Sequence, residues 1–232
     1  MRSDNTQSSD VLENISVDNL IFAMDNGRLK ILLAKYDEGA AKGQWGLVGH
    51  WVKVDEDIDA AAARVVKQTT GVENVYLEQL RAFGRTDRFP AKRVVTIAFY
   101  ALVRMAKLKP HAGFTASDLA WFDARELPEL IFDHQEIVEY SLEYLRYKVR
   151  HEPIGFNLLP EKFTLLELQE LYEAVLNKTL DKLNFRRKIQ KMNLLIDCNE
   201  KQTGVAHRAA KLFRFDINVY QKLTEFGFSF EF

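Results

Sequence analysis

Trp45–Val72 reads WGLVGHWVKVDEDIDAAAARVVKQTTGV. Its second half, Ile58–Thr70, is rich in alanine, with Ile58, Ala61, Ala62, Val65 and Val66 at helical spacing, so it predicts an amphipathic helix. The acids Asp55, Glu56, Asp57 and Asp59 crowd the start of that helix, where they complement its dipole. After Arg64 the helix carries no carboxylate at all; Val65, Gln68 and Thr69 follow instead.

Outward from this helix the pattern alternates strand and helix. Asp18–Met24 and Leu29–Tyr36 are apolar runs around Asn26-Gly27, a strong hairpin signal. Val75–Phe83, Val94–Val103 and Ala120–Asp123 are β-branched or aromatic and predict strands. Ile131–Val149 predicts a long helix, and Asp133-His134 near its start reads as a capping pair. The pattern breaks at His151–Pro160 (HEPIGFNLLP), an apolar segment that reads as a packed connector. Then Phe163–Leu176 and Asp181–Met192 predict two helices, the first with a Thr164/Glu167 capping box. Asn193–Cys198 and Ala209–Phe215 predict two strands around a polar loop, Asn199–Arg208. Helix, tight turn, helix and β-hairpin is the order of a winged helix-turn-helix. The expected layout is an arm at residues 1–15, a first domain at 16–150, the connector at 151–160 and a winged helix domain at 161–232.

Composition sets limits. A chain of 232 residues with 47% hydrophobic content supports one large core or two small ones. Its single cysteine, Cys198, rules out an internal disulfide and fits a reducing cytoplasm. No apolar run reaches the length of a membrane span. The net charge of −1 excludes a uniform polyelectrolyte, but Lys178–Arg214 holds ten bases against three acids. In the second helix Phe185, Ile189 and Met192 share the core face. Lys182, Arg186, Arg187 and Lys191 then point outward with Asn184 and Leu183, the latter about 160° around from Phe185. An exposed leucine beside asparagine and arginine suits contact with base edges. These residues, with Lys201 and Arg208 on the wing, are the expected DNA-binding set. A solvated basic helix is the plainer reading of the same charges.

Trp45–Val72 resembles the Nudix box, G-x5-E-x7-R-E-U-x-E-E-x-G-U, with U a bulky apolar residue. His50 stands at its first Gly, Glu56 at its first Glu, and Arg64, Val66, Gly71 and Val72 keep its pattern. Val65, Gln68 and Thr69 replace the three carboxylates of its core. Nudix hydrolysis uses those carboxylates to hold divalent cations, usually magnesium. The resemblance therefore implies a Nudix-like α/β/α sandwich with no catalytic residues, no metal ligands and no cofactor. Only Asp55, Glu56, Asp57 and Asp59 are left to argue a metal site from.

The segment Glu152–Met192 is similar to the Nudix-related transcriptional regulators, chiefly in Phe156, Leu158–Pro160, Phe163–Leu165, Leu168, Gln169 and Leu171–Ala174. Known groups are the NAD-metabolism regulators, which bind ADP-ribose, and the Bacteroidetes-type regulators of arabinose and related sugars. Phe83–Val95 resembles the family's D-R-x-P-x-x-R-V-V stretch beside the ligand site. On that resemblance Asp87, Arg88 and Arg93, with His50 and Trp51, are the expected effector-binding residues; the bland alternative is that the charged ones tie down a turn.

The expected protein is a cytoplasmic, homodimeric repressor of a sugar-catabolic operon. Its partners are double-stranded operator DNA and a small effector, a pentose or related sugar, with ADP-ribose as the alternative. Two further readings stay open: an active Nudix pyrophosphohydrolase with relocated metal ligands, and an interaction module that binds no DNA.

Overall fold

Asn26 and Gly27 both take left-handed backbone, with φ of 47° and 72°. A two-residue type I′ turn requires this at both central positions. In the computed structural model, which describes residues 10–71, 73–105, 116–204, 209–226 and 230, the turn joins β1 (Val11–Asp25) to β2 (Arg28–Tyr36). Val17–Ala23 are buried without a break, as in a strand covered on both faces. β1 also starts earlier than its apolar run predicts, because its first residues pair antiparallel with β4 (Val48–Lys53).

The remaining strands of the sheet are β3 (Trp45–Gly46), β5 (Tyr76–Phe83), β6 (Val95–Val103) and β7 (Ala116–Asp123). They run in the order β3-β2-β1-β6-β5, with β4 on β1 and β7 on β2. α1 (Ile58–Thr70) matches its expected bounds and packs on β4. It ends at Gly71, whose φ of 71° turns the chain while its N–H reaches Lys67 O at 2.8 Å. α2 (His134–His151) starts three residues later than the expected Ile131. Ile131 instead donates its N–H to Trp45 O at 3.0 Å, and Phe132, with φ of 52°, ends the extended segment.

Two compact units divide the chain. One holds most of the sheet and α1 and runs to Ser141; the other takes the hairpin tip Ala23–Lys30, Val103–Ala106 and Leu142–Phe232. The division falls inside α2 rather than at residue 150, because the second half of that helix packs with the C-terminal part of the chain: Arg146 Nε donates to Val175 O at 3.2 Å. The connector is a 3-10 turn, Pro153–Leu158, with Ile154, Phe156 and Leu158 buried and Phe156 stacked on Phe215 at 4.2 Å.

In the second unit α3 (Leu165–Leu176) opens on the expected capping box, with both Thr164 and Glu167 side chains bonded to backbone N–H groups. Asn177 turns the chain at φ 51°, and Glu173 accepts from Leu180 N at 2.8 Å. That turn delivers α4 (Lys182–Lys191), capped by Asp181. β8 (Leu195–Lys201) and β9 (Lys211–Phe215) form the wing, tied to the start of α3 by paired backbone bonds between Phe163 and Phe213. α5 (Ile217–Glu225), which the sequence pattern leaves unassigned, is capped by Asp216. The architecture is thus the expected α/β sandwich followed by a winged helix. Residues 1–9 of the expected arm, Val72 and Arg208 lie outside the described residues. Among the described residues, no helix is long and apolar enough to cross a membrane.

Candidate functional site

The helix that decides the fold keeps its frame. Glu56 accepts from Arg64 Nε at 2.8 Å and Nη2 at 2.5 Å, and from the Lys53 N–H at 2.8 Å. Arg64 Nη2 also donates to Trp51 O at 3.1 Å, so this pair pins the loop to the helix. The Arg64 hydrogen bonds, helped by the Lys53 N–H, outweigh partial burial and hold the Glu56 carboxyl below its usual range.

The cations implied by the Nudix resemblance do not fit this helix. Val65 is 3% exposed and belongs to the core. Thr69 is buried, and its hydroxyl donates to Val65 O at 2.8 Å. Gln68 is exposed and neutral, and Glu56 is already committed to Arg64. Among the described residues no three His, Cys, Asp or Glu side chains converge on a possible metal position.

Beside β1 and β4 lies a cavity of ≈ 320 Å³, within the size range of small-molecule sites. Asp18, His50, Trp51, Arg88, Phe132 and His134 line it. Of the five expected effector residues it therefore gathers His50, Trp51 and Arg88. Asp87 and Arg93 are outside its lining. Asp87 is exposed and paired with Arg85 at 2.9 Å, and Arg93 Nη1 donates to Arg85 O at 2.7 Å, so both close the surface turn.

Arg88 is buried rather than free. It forks onto Asp133 with bonds of 2.8 and 2.9 Å and reaches Asp18 Oδ2 at 3.3 Å. Asp133 and His134 are thus not a capping pair, since both side chains are buried and turned to this cluster. Leu47 donates its N–H to His134 Nδ1 at 2.9 Å, which leaves the ring proton on Nε2. Burial pushes the His134 pKa below its ordinary value, so the ring is neutral near pH 7. Burial likewise lowers His50. Sequence reasoning missed Asp18 and Asp133, which are far apart along the chain. The available signals were an acid inside the apolar run of a central strand at Asp18 and the glycines at 46 and 49 in short strands.

An aromatic wall continues from the cluster. Phe132 meets Phe89 at 5.0 Å and His134 at 5.9 Å, and Phe89 meets Trp51 at 6.4 Å, all edge-on. Lys92 Nζ sits 4.6 Å from the Trp51 ring centre. Phe132 is 37% exposed and holds a left-handed backbone that bulky residues rarely adopt.

The second unit presents α4. Phe185 and Ile189 are buried, with Phe185 against Tyr172 at 5.8 Å. Lys182, Leu183, Asn184, Arg187 and Lys191 are exposed, Leu183 at 72%. Arg186 differs from its expected outward position: it is half-buried, with Nε enclosed, because it lies beside Phe185 on the flank of the core face. Lys201 is exposed on β8.

Comparison with known proteins places both halves. Residues 14–142 match the NUDIX domain and residues 155–215 the NrtR DNA-binding winged helix domain. The ADPR responsive transcriptional repressor NtrR of Acinetobacter baylyi is 30% identical over 209 residues, covering 89% of this chain and 83% of that protein. The ADP-ribose pyrophosphatase of Methanocaldococcus jannaschii is 34% identical over 134 residues, 58% of this chain and 74% of that protein. Shewanella oneidensis NrtR complexed with a 27mer DNA has a TM-score of 0.76 at 30% identity, covering 87% of this chain and 93% of that one. Its NUDIX domain complexed with ADP ribose has a TM-score of 0.52 at 27% identity, covering 58% of this chain and 89% of that one. With a Nudix domain and an NrtR winged helix in the same order, the chain belongs to the NrtR family of DNA-binding transcriptional regulators.

Proposed function

We propose that this protein is a repressor released from its operator by ADP-ribose, and that its Nudix domain binds this effector without hydrolysing it. The observation that carries the reading is the fate of the Nudix helix. Its frame stands through Glu56 and Arg64, while the cation positions hold a core valine, a neutral glutamine and a self-satisfied threonine. A cavity of ligand size remains on the same unit.

The effector assignment replaces the sugar reading of the sequence with its alternative. The segments that suggested a sugar regulator lie in the connector and α3, whereas the relatives named for ADP-ribose align over both halves of this chain or over its Nudix domain. Operator contact falls to the exposed face of α4, with Leu183, Asn184 and Arg187 on base edges and Lys182 and Lys191 on phosphates. Arg186, half-buried, braces that helix, and Lys201 extends the contact along the wing. We take the DNA-bound form to be a homodimer on a two-fold operator.

The test is titration of the operator complex with ADP-ribose and, separately, with arabinose and xylose. A tenfold loss of operator affinity corresponds to about 1.4 kcal/mol of coupling between effector and DNA. Release by ADP-ribose alone supports the reading, and release by a pentose alone restores the sugar assignment. Similarity to the Methanocaldococcus jannaschii pyrophosphatase favours one rival, an enzyme with relocated cation ligands. Turnover of ADP-ribose with magnesium or manganese at about 1 s⁻¹ or faster would establish it.

A further inference from the structure

Two glycines shape the floor of the cavity. Gly49 on β4 stands directly across from Asp18 on β1 in the strand register. A Cβ at Gly49 would lie 2.2 Å from Asp18 Oδ1 and 2.8 Å from Val17 O, so only glycine lets the carboxylate fold over the β4 backbone. A Cβ at Gly46 would lie 2.7 Å from Ile131 Cδ1 and 2.9 Å from His134 Nδ1. Glycine there lets the imidazole come down to the Leu47 N–H.

The outcome is a matched pair of polar atoms, both on residues that are nearly fully buried, Asp18 at 5% and His134 at 3%. Asp18 Oδ2 is used by Arg88 at 3.3 Å, while Oδ1 accepts no hydrogen bond among the described residues. His134 Nδ1 is filled by Leu47, so Nε2 carries the proton. Asp18 Oδ2 lies 3.8 Å from Nε2, beyond hydrogen-bond reach. The floor thus offers one anionic acceptor and one neutral N–H donor side by side.

We propose that Asp18 and His134 read the vicinal hydroxyls of the distal ribose of ADP-ribose, an inference that rests on ADP-ribose being the effector. A vicinal diol answers both atoms: one hydroxyl donates to Asp18 Oδ1 and its neighbour accepts from His134 Nε2–H. A phosphate answers neither well, because it has no proton for the carboxylate and is repelled by it. The diphosphate is therefore excluded from the floor and lies toward the rim, where exposed Lys92 supplies a cation. Trp51, Phe89 and the strained, exposed Phe132 then offer ring edges and faces to the adenine.

The deciding measurement is calorimetric titration of the full-length protein with three ligands: ADP-ribose, ADP, and an ADP-ribose analogue lacking the 2- and 3-hydroxyls of the distal ribose. We expect ADP-ribose to bind at least tenfold more tightly than the analogue, and the analogue to bind about as ADP does. Asp18→Asn should cost ADP-ribose at least tenfold while leaving ADP affinity within about twofold; if that variant does not fold, the ligand comparison on the unaltered protein still decides. An analogue that matches ADP-ribose overturns the floor assignment while the effector reading stands. Equal losses for ADP and ADP-ribose in Asp18→Asn also overturn it, since the carboxylate would then only support the pocket. No binding of ADP-ribose at all removes the effector reading and this inference with it.

Discussion

Val65→Glu places a carboxylate where the Nudix pattern has one, and the structure says what it meets there. Val65 is 3% exposed on the face of α1 that also buries Ala61, Ala62, Val66 and Thr69. The adjacent cation, Arg64, is already bonded to Glu56 and Trp51 O and is not free to pair with the new carboxylate. Burying an unpaired charged or protonated carboxyl in place of a packed valine costs about 3 kcal/mol or more. For a protein of this size that is a fall in Tm of roughly 6–12 °C. Gln68→Glu is the control, because Gln68 is exposed and its Oε1 is 3.4 Å from Arg64 Nη1. A carboxylate there gains an i,i+4 pair worth about 0.3–0.5 kcal/mol and leaves Tm almost unchanged. The assay is thermal unfolding of both variants beside a magnesium-dependent turnover assay on ADP-ribose. We expect a destabilised Val65→Glu, an intact Gln68→Glu and no turnover from either. A Val65→Glu protein as stable as the parent, or one that gains hydrolysis, would refute the claim that this position belongs to the core.

Leu183→Ala and Arg187→Ala should weaken operator binding more than binding to random DNA in mobility-shift titrations, since both side chains are exposed on the outer face of α4. Lys191→Ala should weaken both alike and reduce the slope of log affinity against log salt by about 0.9, which a salt series reads directly. Arg93→Ala should leave ADP-ribose affinity within about threefold by calorimetry, because Arg93 closes the surface turn through Arg85 O; a loss of tenfold or more would return it to the effector site. His134 gives a pH signature whose sign follows from its lowered pKa. The unfolded ring takes up a proton near its ordinary 6.5 and the native ring only at lower pH, so stability is full above 6.5 and falls as pH drops below it. Denaturant unfolding of His134→Gln should show a shallower loss between pH 6.5 and 5 than the parent protein, and an unchanged pH profile would argue against a buried neutral imidazole.

What could be read in the sequence was whatever a local pattern specifies. The Asn26-Gly27 turn, α1 to its last residue, and the Thr164 capping box each depend on side chains within a few positions of one another. The exposed face of α4 follows from 3.6-residue periodicity alone, and fails only at Arg186, on the border between the two faces. The cavity floor is of another kind. Asp18, Arg88, Asp133 and His134 come from β1, from the loop before β6 and from the start of α2, and no spacing rule connects them. Asp87 and Arg88 are adjacent and look equivalent in the sequence. One is exposed on Arg85 and the other buried on two carboxylates, a difference set by partners at positions 18 and 133. A resemblance to known regulators can place the ligand loop, but it cannot say which arginine in that loop faces inward. The glycines do carry a signal for the floor itself. Gly46 and Gly49 stand in short strands, where glycine normally weakens pairing, and that is a sign of something close above the backbone. Here the close objects are the imidazole and the carboxylate that line the floor. Gly49→Ala is therefore the substitution that links the two scales. By forcing Asp18 off β4 it should abolish the floor, and with it the response to ADP-ribose, while α4 and the wing go on binding operator.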